Sequence, residues 1–139
     1  MPTVLCVGHA VQDFVFTVPV LPDRGAKYRA TRFESVGGGP AATAAVAVSR
    51  LGGCALLAAR VGDDDAAGMI VAELEGYGVD CTHVRRCPGT ASSVSAVIVD
   101  SRGERMIVNH LDPSLPVDAT WLPSAGSVGR SFSLVPPRL

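Results

Sequence analysis

The sequence predicts an α/β fold with added antiparallel strands, and three observations carry that prediction. Short apolar runs at residues 3–8 (TVLCVG) and 54–61 (CALLAARV) read as strands buried in an α/β sheet. Segments of helical period follow a glycine-proline start at residue 40 and an aspartate cluster at residues 63–65. Two β-rich runs flanking Ser101-Arg102-Gly103 read as a hairpin. Strand, helix, strand, helix and hairpin in that order define the class.

Each element has a local cause. After the first strand, the apolar stretch Phe14 to Val20 runs into a turn-rich break, Leu21-Pro22-Asp23-Arg24-Gly25. Residues 27–34 (KYRATRFE) alternate and carry aromatics and Thr31, which predicts an exposed, partly polar strand. The first helix begins at Pro40, where a missing N–H costs nothing. Ala44, Val48 and Leu51 fall at i, i+4 and i+7 and are expected on one face, and Gly52-Gly53 ends the helix. The second helix starts among carboxylates that favour its dipole, presents Ile70, Leu74 and Tyr77 on one face, and closes at Gly78. Residues 94–100 and 104–109 form the hairpin. Beyond Leu111 the chain is rich in Pro, Ser and Gly without a sustained period, and a disordered linker is expected there.

Composition narrows the function classes. The chain has 139 residues, 47% hydrophobic and 18% charged, which suits a single globular domain. A net charge of −1 provides no basic field for nucleic acid or an anionic membrane. No apolar run approaches the roughly 18 residues of a membrane helix, and no basic leader precedes the first strand, so a cytoplasmic location is expected. Cys81, His83 and Cys87 form a Cys-x-His-x3-Cys cluster, but structural zinc needs a fourth ligand, and no metal is expected.

The segment SVGGGPAATAAVAVSRLGG (residues 35–53) poses the functional question. It is no P-loop, because no glycine in it is followed by Lys and Ser/Thr. Gly37-x-Gly39-x-x-Ala42 fits a dinucleotide fingerprint, yet position 60 is Arg where an acidic residue is required near the end of the next strand. A third reading is a glycine-lined floor for a sugar, where main-chain N–H groups reach a polyol with no Cβ in the way and a helix N-terminus adds partial positive charge. Close packing of a small-residue helix on the sheet is compatible with it.

The ordered series VGGGPAATAAVAVSRLGG, ARVGDDDAAGMIVAELEGYGVD and VIVDSRGERMIVNH resembles the PfkB (ribokinase-like) carbohydrate kinases over about residues 3–111. The resemblance implies the N-terminal half of a ribokinase-like α/β/α sandwich with a small β-strand lid, built from about residues 14–35 and 94–110 of a sugar-binding unit spanning 1–111, with 112–139 as an irregular tail. It implies transfer of the ATP γ-phosphoryl group to a sugar hydroxyl. Carried over by position, Asp13 binds sugar hydroxyls from the end of the first strand, and Gly37, Gly38 and Gly39 line the sugar floor. The family usually has Asn where this chain has Ala42, and Gly where it has Ala67. GGGPAATAA combined with Lys27 and Asn109 looks most like the bacterial 6-deoxy-6-sulfofructose kinases, which implies that Lys27 and Asn109 hold the substrate's sulfonate. An ammonium and a directed amide donor suit such an anion.

The family's base lies in a C-terminal DTxGAGD-type motif, and no such segment occurs in this sequence. The expectation is therefore a truncated kinase with no catalytic residue of its own. ATP and Mg2+ are implied for full-length relatives and neither is expected on this chain. A sugar is the expected partner, and the lid implies a homodimer. A non-catalytic dimerisation module and a dinucleotide-binding domain are the alternatives. His9 is expected near the pocket, and Arg105 on the hairpin's solvent face.

Overall fold

The computed structural model describes residues 3–116 and 118–122. Two sheets share the chain. The first is parallel, in the order β1 (Thr3–Val7), β4 (Cys54–Gly62), β5 (Asp80–Cys87). The second is mixed, in the order β3 (Arg32–Gly38), β2 (Val11–Thr17), β6 (Val94–Val99), β7 (Arg105–His110). In it β2 runs antiparallel to β3 and parallel to β6, and β7 is antiparallel to β6. The α/β class with added antiparallel strands is as predicted.

Helices α1 (Pro40–Arg50) and α2 (Asp65–Gly76) pack on one face of the parallel sheet. Alternate residues of β4, namely Ala55, Leu57, Ala59 and Val61, face Ala41, Ala42 and Ala45 of α1 and Ala67, Ile70 and Leu74 of α2. Alanine on α1 lets its backbone lie close to the strands. On the opposite face Leu5 and Ala58 pack with Val7, Leu56 and Trp121, and the Arg60 guanidinium lies 5.5 Å from the Trp121 ring centre. Asp64 caps α2 by accepting from Ala67 N at 3.0 Å.

Four expectations need correction. The strand expected at 27–34 is β3, five residues later, because the chain at 18–31 is an irregular loop and the β2 register carries pairing into the glycines. The stretch expected from Phe14 is β2, which begins at Val11 and stops before Pro19, so the polar Gln12 and Asp13 lie inside a strand. Leu51 is 88% exposed, since it caps α1 and has turned off the helix face; Ala44 and Val48 border the core that Ala41, Ala42 and Ala45 build. Tyr77 is likewise an exposed cap, stacked by Arg50 at 4.9 Å.

Strand β5 was not anticipated. Its sequence DCTHVRRC is mostly polar because it is an edge strand, and Cys81 and Cys87 stand at its two ends, about 20 Å apart at strand rise. Among the described residues no three His, Cys, Asp or Glu side chains converge as a metal site. No described helix is long and apolar enough to cross a membrane.

The described residues of 112–122 contain no helix or strand, yet they are tied down. Asp112 Oδ2 accepts from Ala91 N at 2.7 Å, Leu115 is buried, and Trp121 packs on the sheet. The remainder of the expected tail lies outside the described residues.

Candidate functional site

Strand register assembles the site. Asp13 pairs with Val36 on one side and Ser95 on the other, and Ser95 pairs with Asn109. Directly paired residues project to the same side of a sheet, so Asp13, Ser95 and Asn109 form one row on one face. Gly38 belongs to the same face, opposite Val11. Asp13 is thus a mid-strand residue of β2 rather than the end of β1, and it is half-buried. A cleft of about 400 Å³ opens beside it, lined by Val15, Val97, Val99 and Ile107 and reaching Arg105. Arg105 is exposed, as expected, and stands at the rim of this cleft because it is four residues from Asn109 on the same strand and shares its face.

Asn109 is already engaged. Its Nδ2 donates to Ser93 Oγ at 3.2 Å, Val94 O at 3.1 Å and Ser95 Oγ at 3.1 Å. Lys27 lies on the exposed loop before β3, and among the described residues it makes no hydrogen bond or ion pair. The structure therefore brings Asp13, Asn109 and Gly38 together and leaves Lys27 on a separate loop. His9 precedes β2; its carbonyl accepts from Ala42 N at 3.3 Å.

The three glycines have different roles. Gly37 and Gly38 end β3, and Gly39 is the N-cap of α1 with φ of 95°. A Cβ on Gly39 would stand 2.5 Å from the His9 carbonyl oxygen, so position and conformation both demand glycine. A Cβ on Gly38 would overlap the Asp13 carboxylate. The N–H of Gly37, expected to be free for a ligand, donates to Glu73 Oε2 of α2 at 2.8 Å. Sequence reasoning missed Glu73, since nothing in the period of α2 marks it.

This geometry disfavours the dinucleotide reading. That fingerprint needs its glycines in the turn between a strand and helix of a parallel βαβ unit. Here Gly37 sits within a strand antiparallel to its neighbour, in a different sheet from β4.

A buried hydrogen-bond network at the start of α2 ties the layers together. Burial opposes ionisation of Asp64, but donations from Ser92 Oγ and N–H and from Ala67 N–H outweigh it and hold the carboxyl below the usual carboxylate range. Asp64 Oδ1 receives the Ser92 hydroxyl at 2.6 Å, and Ser92 Oγ accepts from Gly62 N at 2.9 Å. This links the end of β4, the start of α2 and the approach to β6.

Comparison with known proteins agrees with the fold. A structure of a "putative ribokinase" from Agrobacterium tumefaciens superposes with a TM-score of 0.77 at 40% identity, covering 80% of this chain and 36% of that one. Arabidopsis thaliana ribokinase, solved with ribose and ATP, gives a TM-score of 0.66 at 27% identity over 80% of this chain and 36% of its own. Fructokinase-1 of Zea mays is 34% identical over 111 residues, which are 80% of this chain and 33% of that protein. The chain spans about a third of the length of the curated relatives it matches. The pfkB family of carbohydrate kinases matches residues 1–128, past the end of β7 and through the Trp121 segment, and the chain belongs to that family.

Proposed function

We propose that this chain supplies the sugar-binding portion of an ATP-dependent carbohydrate kinase, and that it binds sugar without itself turning over ATP. The observation that carries the reading is the row of Asp13, Ser95 and Asn109 facing Gly38 beside an open cleft. A carboxylate accepts from sugar hydroxyls, and an amide and serines donate and accept in turn. Ribose and ATP in the Arabidopsis relative support the substrate class and the phosphoryl donor.

Within that class, the substrate proposed is 6-deoxy-6-sulfofructose. Lys27 provides a loop ammonium that is unpaired among the described residues, and Asn109 an amide in the Asp13 row. A sulfonate would take the place of a serine oxygen as the amide's acceptor. Calorimetric titration of 6-deoxy-6-sulfofructose, fructose and ribose tests the reading. Binding that is lost in Asp13→Ala, with the sulfosugar preferred and that preference lost in Lys27→Ala, is expected. No binding of any sugar, or ADP release by the chain above an Asp13→Ala control, would overturn it.

We also propose homodimerisation through the lid sheet. The face opposite Asp13 presents Phe14, Phe16, Phe33, Ile98, Met106 and Val108, and Phe33 is 56% exposed and Val108 66%. So contiguous an apolar sheet face requires cover. Sedimentation of the wild-type chain as a dimer and of Phe33→Glu as a monomer is expected; a monomeric wild type would refute the pairing.

A further inference from the structure

We propose that Glu73 is a positioning residue for the sugar-facing glycine strand, holding Gly37 and through it the Asp13 carboxylate; this deepens the sugar-binding reading and rests on it.

The placement is specific. Gly37 and Gly38 are consecutive strand residues, so their side-chain directions point to opposite faces. A Cβ on Gly38 would run into Asp13, and a Cβ on Gly37 would stand 3.2 Å from both the carboxyl carbon and Oε1 of Glu73. The two-glycine segment therefore lies between two carboxylates, one from β2 and one from α2. On the helix side the two glycines border a cavity of about 270 Å³ that Val46, Ile70 and Leu74 also line. Among the described residues, the bond from Gly37 N to Glu73 Oε2 is the one hydrogen bond joining Gly37 or Gly38 to the helical layer.

A hydrogen bond to an ionised acceptor is stronger than one between neutral groups. Pairing with Gln12 and Val11 and the run through Gly39 into α1 hold the strand end on two sides, and Glu73 ties its open edge to α2. Gly38 moves with Gly37, and the space available to the Asp13 carboxylate moves with Gly38. Glu73 touches no substrate in this scheme; it sets where the residue that does so stands.

The test uses the full chain with three readouts: exchange of the Gly37 amide, the NMR chemical shift of the Asp13 carboxyl carbon, and calorimetric affinity for fructose and 6-deoxy-6-sulfofructose. In Glu73→Ala the Gly37 amide is expected to exchange about tenfold faster, the Asp13 resonance to shift, and sugar affinity to fall about tenfold, with thermal stability almost unchanged. Glu73→Gln, which keeps an acceptor oxygen, is expected to restore affinity to within about threefold of wild type. Glu73→Asp, one methylene short, serves if the alanine variant does not fold and is expected to behave like it. Unchanged Gly37 exchange, or faster exchange with the Asp13 resonance unmoved, would overturn the proposal. If the wild type binds neither sugar, the functional reading fails, and the exchange and Asp13 readouts still decide whether the latch exists.

Discussion

Gly38 and the carboxylate of Asp13 compete for one volume: a methyl group on Gly38 would overlap Oδ2 of Asp13. The absence of a side chain at one position thus sets the orientation of the residue expected to hold the sugar. Gly38→Ala is expected to cost about 1–3 kcal/mol through overpacking. Most of that loss should disappear in an Asp13→Ala background, where the conflict is gone. Urea denaturation of the four proteins in the cycle measures it, and equal losses in both backgrounds would separate the two residues.

Gly39 differs in kind, because its constraint is conformational as well as steric. With φ at 95° and the His9 carbonyl oxygen 2.5 Å from where a Cβ would stand, Gly39→Ala is expected to destabilise the chain by about 1–3 kcal/mol. Gly76→Ala, in a helical position with open space around it, is the control and is expected to be neutral or mildly stabilising. Denaturant midpoints compare the pair.

Ser92 is 1% exposed and serves two partners at once, donating to Asp64 and accepting from Gly62 N. Ser92→Ala leaves the buried Gly62 N–H without an acceptor, at an expected cost of about 1–3 kcal/mol. Ser92→Thr, which retains the hydroxyl, tests whether the oxygen or the space matters, by thermal unfolding of both variants.

Acid should loosen the chain after β7 from the sheet. The Ser114 hydroxyl, then the Ala91 and Ser114 N–H groups, bring the Asp112 carboxyl down to about 2. A carboxylate lowered in the folded state contributes stability above its ordinary value near 3.8, and that contribution is lost as pH falls from about 5 towards 2. Asp64 and Asp100 are lowered too and act in the same direction. Urea midpoints across this range should fall with pH, and less steeply in Asp112→Asn.

What was legible in the sequence was local. Pro40 marked the start of α1, Asp64 lay in the cluster that caps α2, and the Ser101-Arg102-Gly103 turn placed the hairpin between β6 and β7. The α1 core face was misjudged because Ala41, Ala42 and Ala45 carry little hydrophobic signal beside Val48 and Leu51, although alanine is what permits close helix–sheet packing. Strand β5 was hidden by its polar edge residues. Asp13, Gly38 and Asn109 could each be singled out from the chain, but their meeting depends on the register of β2 against β6, which no short-range pattern encodes. Glu73 had no signal at all: its role arises only where α2 passes under the end of β3.

The parallel pairing of β2 with β6 also imposes an order of assembly. Gln12 meets Val94, so both helices and the whole parallel layer are made by the ribosome before the lid can close. Until then the β2–β3 ribbon stands alone with Phe14, Phe16 and Phe33 on it, and a two-stranded ribbon is marginal in water. Closing so long a loop carries an entropic cost that contacts in the mixed sheet offset only late. The nascent chain therefore passes through a stage in which the parallel layer is complete and β2 still has only β3 beside it.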